Sequence, residues 1–490
     1  MSASKEQELI KIIDNAQTYE EYKSACIALD KEVGNDVWKA KLESPLYDYE
    51  LIQHRLDVIK HARINNDIYD LITIIFEGLH GNLGSMGNPE LYQECNIGTK
   101  HLVEEFNEEI TLSLKAIFLD EAHLNTYEKV EFFDRLSQAY GQTALILSGA
   151  AGLGFFHCGL IKVLLEQDLL PSVVSGSSAG SLFAALVGTR TKEEALKELT
   201  PEKIQQNFGH IFDLSSTFEQ SIFDPTCLEN SLIRLFDLMT FEQAYLKTGI
   251  EINISVSPLD QHLQPRLLNH ISSRNVIIAT AIKASGALPY AYPPVQLYAM
   301  TSEGKVRPYI VNRKFVDGSI ALDIPIKQLS RIYGVNHTIV SQTNPLVMPF
   351  LPRTNNKSNN VFSIASDYIK QNIRHTSVFG CNAIEKIIPT NTAKLAVHKT
   401  RSILEQSYLG DINIIPKRAI ENITKVFANP TVESVQKQMN EAEKTVWPLI
   451  SRIEETTKIS RTIKLYRHKL RVELKEQNTK DKKIKISADV

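Results

Sequence analysis

The sequence lacks the means to build a disulfide framework. Its 490 residues hold five cysteines, Cys26, Cys95, Cys158, Cys227 and Cys381. They are far apart, odd in number and form no C-x-x-C pair, which argues against stapled loops and a zinc site and fits a reducing compartment. No cluster of Asp, Glu and His has ligand spacing either, so neither a metal nor a cofactor is expected. Charge of one sign is not in excess: the formal net charge is −3, and bulk electrostatics offer nothing to nucleic acid. The first 22 residues are polar and helical with no apolar run. No secretory signal is therefore expected, and a cytoplasmic location is. Residues 136–161 form a long stretch free of Asp, Glu, Lys and Arg. That stretch contains Gly141, Gly149, Gly152, Gly154 and Gly159 besides Gln138, Gln142, Ser148 and His157. Its pattern is strand, turn, helix, which makes it a buried core segment rather than a membrane span. Internal repeats are absent.

What is present is ordinary globular material, 43% hydrophobic and 23% charged, in a chain long enough for two or three domains. Residues 1–140 read as a helical domain. Apolar residues recur at helical spacing over 49–59 and 69–76, a Gly/Asn/Pro-rich loop breaks the pattern over 78–89, and a further helix spans about 99–119. The texture changes at Thr143. Short apolar runs at 143–147, 173–174, 251–256, 315–316 and 338–341 read as buried strands separated by helices, which is the α/β class with right-handed crossovers. Residues 141–350 are assigned to this catalytic domain. From about residue 362 the chain reads as helical again, so 351–490 form a mainly helical C-terminal region. From Lys458 onward eleven Lys/Arg face four Asp/Glu, a balance of about +7. Such a tail suits contact with anionic lipid headgroups.

Three short segments carry the chemistry. Gly176-Ser177-Ser178-Ala179-Gly180 lies between an apolar strand and an apolar helix. Glycines there permit a tight turn that exposes a serine hydroxyl at the helix N-terminus; the same spacing also occurs in structural turns. Upstream, Gly149-Ala150-Ala151-Gly152-Leu153-Gly154 likewise follows a strand and opens a helix. Its unpaired backbone N–H groups would suit an oxyanion. The order G-x-x-G-x-G, with no acidic residue closing a second strand, is not that of a dinucleotide loop. Asp317-Gly318-Ser319 follows a strand end, where a carboxylate can enter a cleft or simply make a turn. The base for Ser178 could be that aspartate or a histidine, with His210, His262, His270, His337, His375 and His398 downstream. His157 falls on the helix after the first glycine turn, where it is better placed to buttress that turn than to serve as a base.

In this order the three segments resemble those of the patatin-like phospholipases. Further segments are similar to the branch that includes the yeast triacylglycerol lipases and bacterial relatives: Ser44-Pro45-Leu46-Tyr47, Asn88-Pro89-Glu90-Leu91-Tyr92, Pro265-Arg266-Leu267-Leu268-Asn269 and Ser341-Gln342-Thr343-Asn344-Pro345. The resemblance covers about residues 35–465. It implies a three-layer α/β core with a mostly parallel sheet, flanked by helical regions. It also implies a Ser–Asp dyad without histidine: Ser178 as nucleophile, Asp317 as proton acceptor, Gly318 and Ser319 completing the third motif, and Gly149, Ala150, Ala151, Gly152 and Gly154 as the oxyanion turn. The implied activity is hydrolysis of glycerolipid esters. An acyltransferase or an idle lipid-binding scaffold are the alternatives, and lipid is the expected partner, with contact at a membrane or lipid surface. The apolar, Pro-rich segment 284–295 would suit the rim of an acyl-chain pocket. Two departures stand out. Ala150-Ala151 replaces the usual glycines, which is harmless provided φ need not be positive, and Asp-Gly-Ser replaces Asp-Gly-Gly or Asp-Gly-Ala. A carboxylate is a weaker base than imidazole, so its site is expected to be desolvated.

Overall fold

The computed structural model describes residues 2–211, 225–260, 263–288, 292–319, 322–345, 347–348, 408–417 and 430–488. The chain forms two compact units, one of Met1–Thr143 with Trp447–Val490 and the other of Ala144–Val446.

The first unit is helical, and its sequence sets the helix ends. Thr18, Asp48 and Asp67 each take a backbone N–H of the first turn, at Glu21, Leu51 and Asp70, and so begin the helices Tyr19–Val33, Tyr49–Ile64 and Ile68–Gly78. Asn125 and Glu128 form a reciprocal capping box ahead of Thr126–Tyr140. The long helix Ile450–Ala488 lays Ile459, Ile463, Tyr466 and Leu470 into a core shared with Phe106, Ile110 and Phe133. This 4-3-4 spacing is that of one helix face. Tyr466 stacks on Phe118 at 4.6 Å. Arg467 and Arg471 both pair with Asp134, and Lys458 with Glu108. Three of the tail's cations thus meet carboxylates of this unit.

The second unit is built on an eight-stranded sheet. Its strands are β1 (Gln142–Leu147), β2 (Val173–Gly176), β3 (Glu251–Pro258), β4 (Arg266–Leu268), β5 (Val295–Gln296), β8 (Lys314–Asp317), β9 (Val335–Ser341) and β10 (Ile412–Ile414), while β6 (Tyr298–Met300) and β7 (Val306–Pro308) form a separate hairpin. The order is β10-β9-β1-β2-β3-β8-β5, with β4 also paired to β3. Strands β1, β2 and β3 run parallel, as do β9 and β10, whereas β8 is antiparallel to β3. Ala144 and Ile146 face a core closed by Leu329 of the helix Ile326–Tyr333. Leu145 and Leu147, pointing the other way, are equally buried. A strand apolar on both faces needs cover on both, so the sheet is the middle of three layers, as expected.

The C-terminal part differs from the expectation. Residues from 362 on were expected to be helical, yet Asp411-Ile412-Asn413-Ile414 adds β10 to the sheet beside β9, with Ile412 and Ile414 buried. The helix Val432–Val446 packs on Phe155–Glu166 of the α/β unit, and only the chain from Trp447 joins the N-terminal helices. The described parts of residues 351–490 therefore divide between the two units, because their apolar faces complete two different cores. Gly159 sits where the two helices touch. A Cβ there would lie 2.2 Å from the Met439 carbonyl oxygen. Gly159→Ala is expected to destabilise the α/β unit by about 1–3 kcal/mol, as overpacking against backbone does. An unchanged denaturation midpoint would refute this packing.

Candidate active site

The elbow follows from backbone contacts. A Cβ on Gly176 would lie 2.3 Å from the Gly180 carbonyl oxygen, and one on Gly180 would lie 2.3 Å from that of Leu147. No other residue fits at either place, so the helix Ala179–Gly188 starts hard against the ends of β1 and β2. Between the two glycines Ser178 takes φ 50° and ψ −122°, a sparsely populated conformation that costs on the order of 1–3 kcal/mol. Neighbouring hydroxyls hold it there. The Ser285 hydroxyl accepts the Ser178 N–H at 2.9 Å and donates to the Ser255 carbonyl at 2.7 Å. Ser177, wholly buried, takes a hydrogen bond from Ser255 at 2.8 Å. Ser178 itself is half-exposed.

Asp317 ends β8 opposite Val256 of β3, and the cleft at the strand ends brings it to Ser178. Its carboxylate is buried and takes hydrogen bonds from the Ser178 hydroxyl, the Ser319 hydroxyl and the Ser319 N–H, the last at 2.7 Å. Burial pushes its pKa up to about 6, with those three bonds pulling the other way. The site is thus desolvated in the sense expected, and the carboxylate reaches the basicity of an imidazole. Gly318 is required because its Cβ would lie 2.3 Å from the Ser255 carbonyl oxygen.

The glycine turn lies beside both groups. A Cβ on Gly149 would be 2.9 Å from Ser319 Cβ and 3.5 Å from Ser178 Cβ. Gly149 does not offer its N–H to the cleft, however: that group donates to Asp323 at 2.7 Å. Gly154 is buried, and its role is close packing, since a Cβ there would meet the Phe183 ring at 3.0 Å. The donors left at the start of the turn are Ala150, Ala151 and Gly152, and among the described residues no side chain caps the turn. Ala150 has φ −144°, but Ala151 has φ 46°. The condition that made alanine harmless holds at the first position and fails at the second.

His157 buttresses the turn. It is wholly buried, with Nδ1 2.7 Å from the Ser341 hydroxyl and Nε2 3.1 Å from the Ser148 carbonyl oxygen. Burial pushes its pKa down to about 4, so it is neutral and uncharged support. The other histidines are elsewhere. His270 stacks on Tyr245 beside Glu251, at the far end of β3, and His337 is the third residue of β9, four residues and about 13 Å from the end that meets Ser148. His262, His375, His398 and the side chain of His210 lie outside the described residues, as do 289–291 of the Pro-rich segment.

Three residues of the site were given no role by the sequence: Ser285, within the Pro-rich segment 284–295, Asn344, within the segment 341–345 that resembles the family, and Asp323. Asp323 had a usable signal, a lone acid inside the apolar run Ile320-Ala321-Leu322-Asp323-Ile324.

A strained serine at a strand-to-helix elbow, close to a buried carboxylate and to backbone donors that have no partner among the described residues, is a layout that serine hydrolases use. Comparison with known proteins agrees with that class. Residues 145–330 match the patatin-like phospholipase family, and residues 1–138 match a domain of unknown function, DUF3336. The chain is 35% identical over 463 residues to triacylglycerol lipase 4 of Saccharomyces cerevisiae, covering 90% of this chain and 50% of that protein. It is 31% identical over 485 residues to triacylglycerol lipase ptl2 of Schizosaccharomyces pombe, with 93% and 74% covered. Triacylglycerol lipase SDP1L of Arabidopsis thaliana is 31% identical over 461 residues, with 90% and 56% covered. The chain belongs to the patatin-like phospholipase family, and it spans half to three quarters of the length of these relatives.

Two substitutions probe this geometry. Ser319→Ala removes a hydrogen bond that favours the ionised Asp317. If Asp317 is the base, kcat/KM should show an acid limb near the pKa of about 6 to which burial pushes that carboxyl, and Ser319→Ala is expected to move it to higher pH; a limb that stays or falls would contradict the assignment. Ala151→Gly relieves the positive φ, worth about 1–2 kcal/mol per residue, and is expected to leave the melting temperature unchanged or raised. Ala150→Gly has no such strain to relieve and should lower it.

Proposed function

We propose that this protein is a lipid acyl hydrolase that cleaves carboxylic esters of glycerolipids through Ser178 and Asp317. The observation that carries the proposal is the hydrogen bond between the Ser178 hydroxyl and a buried carboxylate whose pKa lies at about 6. A group of that basicity is half ionised near pH 6 and mostly ionised at neutral pH, close to where a general base works best. The relatives named as triacylglycerol lipases support glycerolipid esters as the substrate class.

The chemistry runs in two stages. Ser178 Oγ attacks the ester carbonyl carbon while its proton passes to Asp317. The carbonyl oxygen gains negative charge and is held by backbone N–H groups at the start of the glycine turn. Collapse breaks the bond to the alcohol, which leaves with the proton from Asp317 and deposits the acyl group on Ser178. Water, giving its proton to Asp317, then attacks the acyl carbon; the bond to Ser178 Oγ breaks, Asp317 returns the proton to that oxygen, and the fatty acid leaves. The strain at Ser178 holds the hydroxyl clear of its own backbone, so that an ester can approach.

Contact with a lipid surface belongs to the same proposal. The bond from the Leu259 N–H to the Lys314 carbonyl continues the β3–β8 ladder past Asp317 at 3.0 Å. Leu259 is 53% exposed, Val311 in the turn before β8 is 72% exposed, and Leu288 is 41% exposed one residue after the carbonyl that takes the Asp317 N–H. This apolar rim on the cleft side of the sheet suits a peripheral protein resting on lipid. Among the described residues no helix is long and apolar enough to cross a membrane. The scarcity of cysteine supports a cytoplasmic setting.

Ser178→Ala and Asp317→Asn are each expected to abolish ester hydrolysis with the fold kept, and Ser178→Ala to abolish labelling by a fluorophosphonate. Full activity of either folded variant would reject the dyad. Leu259→Asp with Val311→Asp should depress hydrolysis of emulsified triacylglycerol but not of a soluble short-chain ester. Equal loss on both substrates would reject the rim.

A further inference from the structure

Behind the glycine turn lies a second buried carboxyl, which the two-stage chemistry does not use. Asp323 is 1% exposed. One oxygen accepts the Gly149 N–H at 2.7 Å and the other accepts the Asn344 side-chain amide at 2.9 Å. Both acceptors are spent on donors, which a carboxylate can do and an asparagine cannot: an amide would present N–H to N–H at one of the two places.

The peptide groups on either side of Gly149 are clamped in turn. The peptide joining Ser148 to Gly149 is held at its N–H by Asp323 and at its carbonyl by His157 Nε2, 3.1 Å away. The peptide joining Gly149 to Ala150 is held at its carbonyl by the Ser148 hydroxyl at 3.0 Å. That hydroxyl also accepts the Thr343 N–H at 2.8 Å. In a trans peptide the C=O and N–H point in opposite directions. A fixed Gly149 carbonyl therefore aims the Ala150 N–H the other way, and the turn stands against Ser178.

We propose that Asp323 is a positioning residue: by holding the Gly149 N–H and the Asn344 amide together it locks the turn so that the Ala150 N–H, rather than that of Gly149, meets the reacting carbonyl oxygen. This rests on the acyl-hydrolase reading. It adds that the Ser341-Gln342-Thr343-Asn344 segment at the end of β9 acts on the chemistry through Asp323, without touching the substrate. Burial holds the Asp323 pKa up to about 7, partly opposed by its two hydrogen bonds, with the nearby Asp317 charge adding to the rise.

Wild type, Asp323→Asn, Asn344→Asp and the double exchange test it, assayed on a soluble p-nitrophenyl ester. Thermal melting shows that each is folded, and selective 15N-glycine labelling follows the Gly149 amide by NMR. Asp323→Asn is expected to lower kcat by about 100-fold, the scale of a small misplacement at a reacting centre, with little change in KM. The double exchange recreates one donor-to-acceptor pair between the two side chains while an amide oxygen still takes the Gly149 N–H. It should recover most of kcat and return the Gly149 resonance toward its wild-type position. Wild-type kcat in Asp323→Asn, or a folded double exchange no better than the single variants, would overturn the proposal. Should wild type neither hydrolyse the ester nor take a fluorophosphonate on Ser178, the acyl-hydrolase reading falls. The Gly149 resonance across the four proteins then decides for or against the clamp by itself.

Discussion

At the elbow, two glycines are pressed against backbone carbonyls with no room for a Cβ, and the rest of the site is arranged around that contact. Gly180 brings the first turn of its helix onto the end of β1, so the serine before it stands next to the glycine turn that leaves the same strand. Gly176 brings the helix start onto β2, whose neighbour β3 carries Val256 opposite Asp317. Ser178 and the glycine turn follow the ends of the parallel strands β2 and β1, which lie on one side of the sheet, whereas Asp317 comes from antiparallel β8, whose register sets it opposite Val256 near the same end of β3. Strain at Ser178 is affordable because the contacts around it, including the Ser285 bridge to β3, leave the backbone no other conformation.

Burial then sets the chemistry of each ionisable group. Asp317 loses water and rises to about 6; His157 loses water and falls to about 4. The carboxylate and the imidazole have exchanged their usual order of basicity. Desolvation always disfavours the charged form, which is the anion of one and the cation of the other. Desolvation thus gives the carboxyl beside Ser178 a basicity usual for imidazole, while His157, one helix turn from the glycine loop, is neutral support. It also separates the two carboxyls: Asp317 borders the cleft and touches Ser178, whereas Asp323 is turned to backbone and amide donors.

Much of the site could be read in the chain because its parts are local. A glycine pair around a serine, a glycine turn after a strand and an aspartate at a strand end each depend on neighbours within six residues. The strands 143–147 and 173–174 were legible for the same reason, being continuous apolar runs. Less visible were elements whose partners are far away. Residues 412–414 form a strand only because β9 offers an edge. The helix at 432–446 belongs to the α/β unit only because Gly159 lets it approach. Arg467, Arg471 and Lys458 read as a free basic tail, yet each meets an acid more than 300 residues earlier.

By itself, then, the sequence determined the class of chemistry, the α/β core and the local turns on which Ser178 and Asp317 sit, since spacing along the chain encodes turns and strand ends. Tertiary structure alone decided three further things. It gave Asp317 its basicity, because desolvation depends on everything packed around it. It withdrew the Gly149 N–H from the cleft, because the Asp323 carboxyl arrives from 174 residues away. And it drove Ala151 into a left-handed conformation, because the turn must close against Ser178 and Ser319 whatever residue occupies that place.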